Sequence, residues 1–242
     1  MSARRLHGPD RVARTGRRSL RALARNKDAV MLVEFAYSLP VLMLLAFGSI
    51  ELANLAIANM RVSQIAMTVA DNLSRAKQSV PLTLPQLREV DINDALLGAK
   101  IQGGGNLNIL DKGRIVVSSL QQDGASKQKI FWQRCKGMLN KNSNYGAEGA
   151  TEGTTPGFTG MGAGANKVKA APNSAIIFTE VTYEYEPLVG EWALGRFTIR
   201  REAAFYVRDD RDLTGGPDSN GIYNFSPYAT KSACNVYNTS FT

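Results

Sequence analysis

The chain has 242 residues, 44% of them hydrophobic, which is enough for one apolar segment and one further domain of ordinary size but not for several large ones. Its formal net charge of +8 and pI of about 9.6 would suit a nucleic-acid binder, yet the charge is not spread along the chain. Residues 1–28 carry eight arginines and Lys27 against Asp10 and Asp28, a net of +7, which leaves +1 for everything after them. An apolar run follows directly. Cations massed on one side of such a run obey the positive-inside rule, which puts the N-terminus in the cytoplasm and the residues beyond Ile50 in the periplasm. The lipid bilayer therefore replaces nucleic acid as the expected partner, and the arginines can also meet anionic headgroups. The single histidine, His7, lies in this basic leader, so the exported part has none for Ser-His or Cys-His catalysis or for a metal site. Neither an enzyme activity nor a cofactor nor a metal is expected there, since carboxylates alone would have to serve.

Residues 29–50 read AVMLVEFAYSLPVLMLLAFGSI. As a helix rising ~1.5 Å per residue they span roughly 33 Å, the thickness of a bilayer core. Their one charge is Glu34, and a charge inside such a segment costs roughly 2.5–3.5 kcal/mol on insertion scales, so it needs a reason. Ala46-Phe47-Gly48 offers a small-x-small signal-peptidase site, but the run is longer than the usual ~7–15 residue apolar region and no helix breaker precedes that site. The helical pattern continues past the run. Leu52, Leu55, Val62, Ala66, Val69 and Leu73 recur at steps of three, four or seven, with Arg61, Gln64, Asp71 and Arg75 polar. The spacing predicts one helix from Val30 to about Lys77, kinked near Pro40, half in lipid and half an amphipathic extension. Glu51, at the far end of the run, is expected at the interface.

Pro81 and Pro85 end that helix. Residues 85–97 form a short helix that stops at Gly98, and Gly103-Gly104-Gly105 is a turn without the strand-before, helix-after context of a phosphate loop. Residues 114–120 (RIVVSSL) and 128–134 (QKIFWQR) read as an antiparallel hairpin around Asp123-Gly124. Residues 137–166, rich in Gly, Asn, Thr and Ser, have few large apolar side chains and are expected to be a long exposed loop. In residues 174–186, Ile177, Val181, Tyr183 and Tyr185 share one face and Glu180, Thr182, Glu184 and Glu186 the other. Residues 196–208 alternate likewise, so the glutamates of the first strand can meet the arginines of the second across the ladder. Trp132, Trp192 and Tyr206 are expected as core or edge residues of the sheet. Asp218-Ser219-Asn220-Gly221, with Asp209, Asp210 and Asp212 nearby, has part of a calcium-loop pattern but lacks the twelve-residue spacing and final Glu, so a solvated turn is expected. Cys135 and Cys234 both follow the apolar run, where an oxidising compartment lets them pair in a disulfide as the tail wraps the sheet edge; two separate thiols are the alternative.

Residues 29–40, AVMLVEFAYSLP, resemble the start of TadE-like proteins, the pseudopilins or minor pilins of the Tad (tight adherence, Flp-type) pilus. The shared pattern is a basic leader, a small residue, four apolar residues, Glu-Phe and a long apolar helix with a Pro. Residues 181–188, VTYEYEPL, resemble the extracytoplasmic part of the same family less specifically. The resemblance implies an α+β, pilin-like fold, with a leader over residues 1–29, a long helix over 30–78 and a small antiparallel sheet domain over 79–242. It implies a non-enzymatic role in assembling an adhesion pilus. The implied partners are a prepilin peptidase, the major pilin, other TadE-like subunits and an inner-membrane assembly platform with its ATPase. It also implies a cut between Ala29 and Val30, with Glu34 and the adjoining Phe35 serving processing and subunit assembly, the carboxylate meeting the new N-terminal amine of a neighbouring subunit. The family's residue before the cut is usually Gly; here it is Ala29, preceded by Asp28. Two readings therefore stand: a processed pseudopilin, or an uncut, single-pass anchor carrying a periplasmic scaffold or adhesin.

Overall fold

Helix α1 runs from Lys27 to Arg75 as one 49-residue element, unbroken through Pro40. Proline has no N–H, so the Ala36 carbonyl loses its helical donor, and the Ser38 hydroxyl donates to the neighbouring Phe35 carbonyl at 3.1 Å. The computed structural model describes residues 27–79, 81–165, 167–189, 191, 195–208 and 210–241. The basic leader up to residue 26, Trp192 and Asp209 lie outside the described residues. Two compact units are present, Met1–Leu52 and Ala53–Thr242. In the first, Glu51, expected at the membrane interface, is buried.

The second unit is built on the distal part of α1. Ala58, Val62, Ile65, Ala66, Val69 and Leu73 line its buried stripe at helical spacing. After a two-residue strand, β1 (Leu87–Arg88), comes helix α2 (Glu89–Leu107), whose first turn is closed by the Asp91 carboxylate accepting from the Arg88 N–H at 3.0 Å. Four long strands follow: β2 (Gly113–Gln122), β3 (Gln128–Lys136), β4 (Ala175–Tyr185) and β5 (Phe197–Tyr206). They form one antiparallel sheet in the order β3-β2-β4-β5. A last short strand, β6 (Ile222–Tyr223), pairs in parallel with β1. The structure is thus α+β, a long apolar helix leading into a small antiparallel sheet.

One face of the sheet packs on α1 and α2 through Ile115, Val117, Trp132, Ile177, Val181 and Ile199. The register shifts between Ser119 and Leu120, leaving an extra residue on β3. Trp132 and Ile130, two residues apart, therefore face opposite sides, which strict alternation would forbid.

One expectation needs correction and another needs extension. α2 does not stop at Gly98 but continues to Leu107, breaking only at Gly104, whose φ is 62°. An interior glycine costs about 1 kcal/mol, and burial of Leu96, Ala99 and Leu107 outweighs it. Gly103 has a packing role instead: a Cβ there would lie 3.0 Å from Ile109 Cγ2. The glycine-rich stretch is an irregular and largely exposed loop, but it also does what its composition did not suggest, covering part of the sheet. Ala150, Phe158, Met161 and, partly, Tyr145 pack on Leu120, Ile130, Ile176 and Phe178, covering the second face of the sheet. Few apolar residues suffice because glycine backbone brings them close. Gly160, at φ 130°, passes so near Val168 that a Cβ would lie 2.7 Å from its carbonyl oxygen. Tyr206 ends the edge strand β5, one of the two places expected for it, and its hydroxyl donates to the Lys169 carbonyl at 3.0 Å.

Candidate functional site

From Val30 to Ile50 every side chain of α1 is exposed except Leu39, which is half-buried. The most apolar window of this helix has a mean hydropathy of 2.1, and none of it is buried. A continuous apolar surface of this length does not stay in water, and it fits a single-pass membrane anchor. Glu34 is the only charged residue in it and is exposed; among the described residues it has neither a hydrogen bond nor an ion pair. Val30 and Phe35 are also exposed, and the Ala29–Val30 peptide bond lies in the first turn of α1. Four residues of helix separate Val30 from Glu34, an axial distance of ~6 Å. A positive group able to meet that carboxylate in lipid has to come from outside the described chain. Pro40 sits six residues further along the same helix.

In the second unit, Cys135 at the end of β3 is joined to Cys234 of the tail in a disulfide, with Cα atoms 4.7 Å apart and a sequence separation of 99. The Cys135 N–H donates to the Ser232 carbonyl and the Gly137 N–H to that of Asn238, so the tail runs along the β3 edge. Beneath it lies Arg114, fully buried and without a carboxylate partner among the described residues. Its Nη1 donates to the carbonyls of Gly137 (2.7 Å) and Val236 (2.9 Å), and its Nη2 to that of Cys234 (2.6 Å). The Tyr237 ring stacks 4.2 Å from the guanidinium. Burial pushes the Arg114 guanidinium down from its ordinary value, yet arginine remains charged, so three carbonyls and one ring hold a full cation.

Two further polar clusters hold the sheet, one of them with little signal in the residue pattern. Arg134 of β3 donates to both carboxylate oxygens of Glu89 at 3.0 Å, and both residues are buried. That pair bolts the start of α2 to the sheet. On the other face, Arg200 bridges Glu180 and Glu202, each at 2.6 Å, the cross-strand meeting that the alternation of β4 and β5 implied. The Tyr145 hydroxyl donates to Glu202 at 2.8 Å, and burial together with that carboxylate pushes the phenol up to about 12. Ser143 and the Asn144 N–H donate to Glu180, so the glycine-rich stretch is pinned to the sheet. The sequence signal for the Arg200 cluster is the facing Glu/Arg alternation of β4 and β5; for the Glu89–Arg134 pair it is only an arginine amid apolar strand residues.

A cleft of about 620 Å³ opens between α1 and the end of β4, lined among others by Asn54, Ile57, Arg61, Lys112, Tyr185 and Glu186. Asn54 Nδ2 donates to the Tyr185 hydroxyl at 2.6 Å, and Lys112 pairs with Glu186. Among the described residues no group of three His, Cys, Asp or Glu side chains could hold a metal ion. The acidic tail is a turn in which the Asp212 carboxylate accepts from the N–H groups of Thr214 and Gly215 and from the Tyr223 hydroxyl.

An exposed apolar helix with one carboxylate, leading into an α+β unit with a disulfide, fits a single-pass membrane anchor. Residues 29–71 match the family model described as TadE-like protein, so the family signature covers the apolar run and most of the remainder of α1. The match points to a protein associated with a Tad pilus. No curated protein and no solved structure matches the chain.

Proposed function

We propose that the chain is a pseudopilin or minor pilin that assists assembly of a Tad-type pilus, without enzymatic activity of its own. The observation carrying this reading is the lone carboxylate Glu34, unpartnered on an exposed apolar helix inside the family match. A charge left alone in lipid is costly, whereas an ion pair in the same place is far less so. With a prepilin peptidase cutting between Ala29 and Val30, a neighbouring subunit displaced by about one helical turn would bring its new amine level with Glu34. The major pilin, other TadE-like subunits and the inner-membrane platform are the corresponding partners. The leader then faces the cytoplasm and the Ala53–Thr242 unit the periplasm or the assembled pilus, the orientation that the +7 leader favours.

One observation favours a second reading, an uncut anchor carrying a scaffold or adhesin. α1 already begins at Lys27, so the Ala29–Val30 bond is helical and would have to unwind to enter a peptidase. N-terminal sequencing of the protein from membranes separates the two: Val30 as first residue is expected for the pseudopilin, and Met1 or Ser2 would establish the anchor.

A further inference from the structure

The four-stranded sheet ends differently on its two sides. On the outer side of β3 the chain covers its own edge. Ile130 N–H donates to the Ala150 carbonyl, Gly149 N–H to that of Ile130, Glu152 N–H to that of Gln128, and Cys135 and Gly137 N–H to the tail. The outer side of β5 has no such cover among the described residues. Val207 N–H donates to the Ala175 carbonyl, so odd-numbered residues of this strand bond to β4. The N–H and C=O groups of Thr198, Arg200, Glu202, Ala204 and Tyr206 therefore point outward. Of these, the Arg200 carbonyl accepts from the Arg201 guanidinium at 3.2 Å. β5 is ten residues long and contains neither Pro nor Gly, so it lacks two of the devices that blunt an edge.

Charge is a third such device, and here most of it is already neutralised within the chain. Arg200 bridges Glu180 and Glu202, Arg196 pairs with Glu191, and Arg208 with Asp71. Arg201 is different. It is exposed in the middle of the strand, and its Nη2 meets only the neutral Asn59 Oδ1, at 2.7 Å. Of the four arginines between residues 196 and 208, it alone has no carboxylate among the described residues.

We propose that β5 accepts an extended segment of a different protein as a fifth strand, with an acidic side chain of that segment on Arg201. Main-chain bonds to the outward groups supply the affinity, and alternate side chains supply the selection. On the helix side the incoming strand meets Ile199, Ala203 and Phe205, which favours apolar residues flanking the acidic one.

A second copy is a poor occupant. α1 runs alongside β5 in the same direction: Asn59 meets Arg201, and further on the Ser74 carbonyl accepts from Arg208 N–H. Two β5 strands pairing antiparallel about a two-fold axis would set these helices head to tail, with their Ala53 ends at opposite ends of the pair. Two chains held in one membrane cannot do that. A two-fold axis along the strands fails too, because like-numbered side chains would lie side by side yet point to opposite faces, against the pleat. The exclusion of a second copy rests on the membrane-anchor reading; the open edge does not.

The test uses the full chain in detergent micelles and two synthetic ten-residue probes. Both alternate valine and threonine; one has a central glutamate and the other a central lysine. The glutamate probe should slow amide exchange at least tenfold at residues 198, 200, 202, 204 and 206 and leave β3 unchanged. The lysine probe should bind at least tenfold more weakly. Arg201→Glu should reverse that preference. Ala204→Pro removes an outward donor without touching the β4 ladder and should abolish binding while the thermal unfolding transition persists; if that variant does not fold, Thr198→Pro makes the same test. No slowing at saturating probe, equal binding of both probes, or undiminished binding to a folded proline variant would overturn the proposal. So would a sedimenting dimer that the proline variant dissociates, which would assign the edge to a second copy.

Discussion

The two faces of the four-stranded sheet are buried by different means. One lies against helices, whose backbone groups are satisfied internally and whose apolar stripes arrive ready-made. The other lies against a stretch with almost no regular structure, in which isolated residues such as Phe158 and Met161 are carried to the sheet by glycine-rich backbone and held by the Glu180–Arg200–Glu202–Tyr145 cluster. The comparison teaches that burial of side chains and stability of the covering element are separate quantities. The helical cover can be lost only with the fold, whereas the glycine-rich cover has the exposed backbone and sparse apolar contacts of a segment that opens locally.

The largest effects should come from the helix face. Trp132→Ala is expected to cost about 3–5 kcal/mol, measured by denaturant unfolding of the full chain in detergent. Glu89→Ala leaves the buried Arg134 without its main partner and should cost a comparable ~3–5 kcal/mol, while Glu89→Leu combined with Arg134→Met should recover most of it. A wild-type midpoint for Glu89→Ala would mean that water reaches this pair and that α2 is not bolted down. The disulfide comes next. Cys135→Ser with Cys234→Ser should cost about 2–4 kcal/mol, and alkylation of native protein without reductant should leave both cysteines unlabelled by mass spectrometry.

Met161→Ala tests the other face. Its cost should fall near ~2 kcal/mol, the low end for such truncations, because a glycine-rich cover can settle into the space. Limited proteolysis within residues 137–165 should speed up before global unfolding does. A loss equal to that of Trp132→Ala, without faster local cleavage, would erase the distinction between the faces. The smallest effect concerns pH. Burial pushes Asp212 upward, but the Tyr223 hydroxyl and the Thr214 and Gly215 N–H groups outweigh it and hold the carboxyl below its usual range. A depressed carboxylate contributes stability that is fully present above the unfolded pKa, about 3.9, and is lost as pH falls through the lower folded value. Tyr223→Phe should flatten that acid slope in a pH series of thermal midpoints and leave neutral pH nearly unchanged.

What could be foreseen follows the same division. Val62, Ala66, Val69 and Leu73, and the alternation of β4 and β5, announce the helix face because periodic elements write their burial into the order of residues. Arg200 meeting Glu180 follows from that alternation as well. The packing of the loop face is not written in the sequence because Ala150, Phe158 and Met161 have no period; only the tertiary path of the backbone makes them neighbours. The continuation of α2 past Gly98 is not legible either, because local propensity says nothing of the buried surface waiting beyond it. The roles of Arg114 and Arg134 depend on acceptors far along the chain, at Cys234 and Glu89, and no window of sequence contains both partners. Glu34 is the opposite case: its position relative to Val30 and Pro40 is covalent spacing along one helix, fully visible in the residues.

Arg114 has a consequence for how the protein is made. The guanidinium sits in the second strand, but two of its three carbonyl acceptors, Cys234 and Val236, come some 120 residues later. While the chain is still being completed, the hairpin of β2 and β3 can form, yet its buried cation lacks most of its acceptors. A chain stalled or clipped before residue 234 therefore keeps an unmet charge in its centre and stays open to quality-control proteases. Maturation of this unit is a late event, gated by the arrival of the tail.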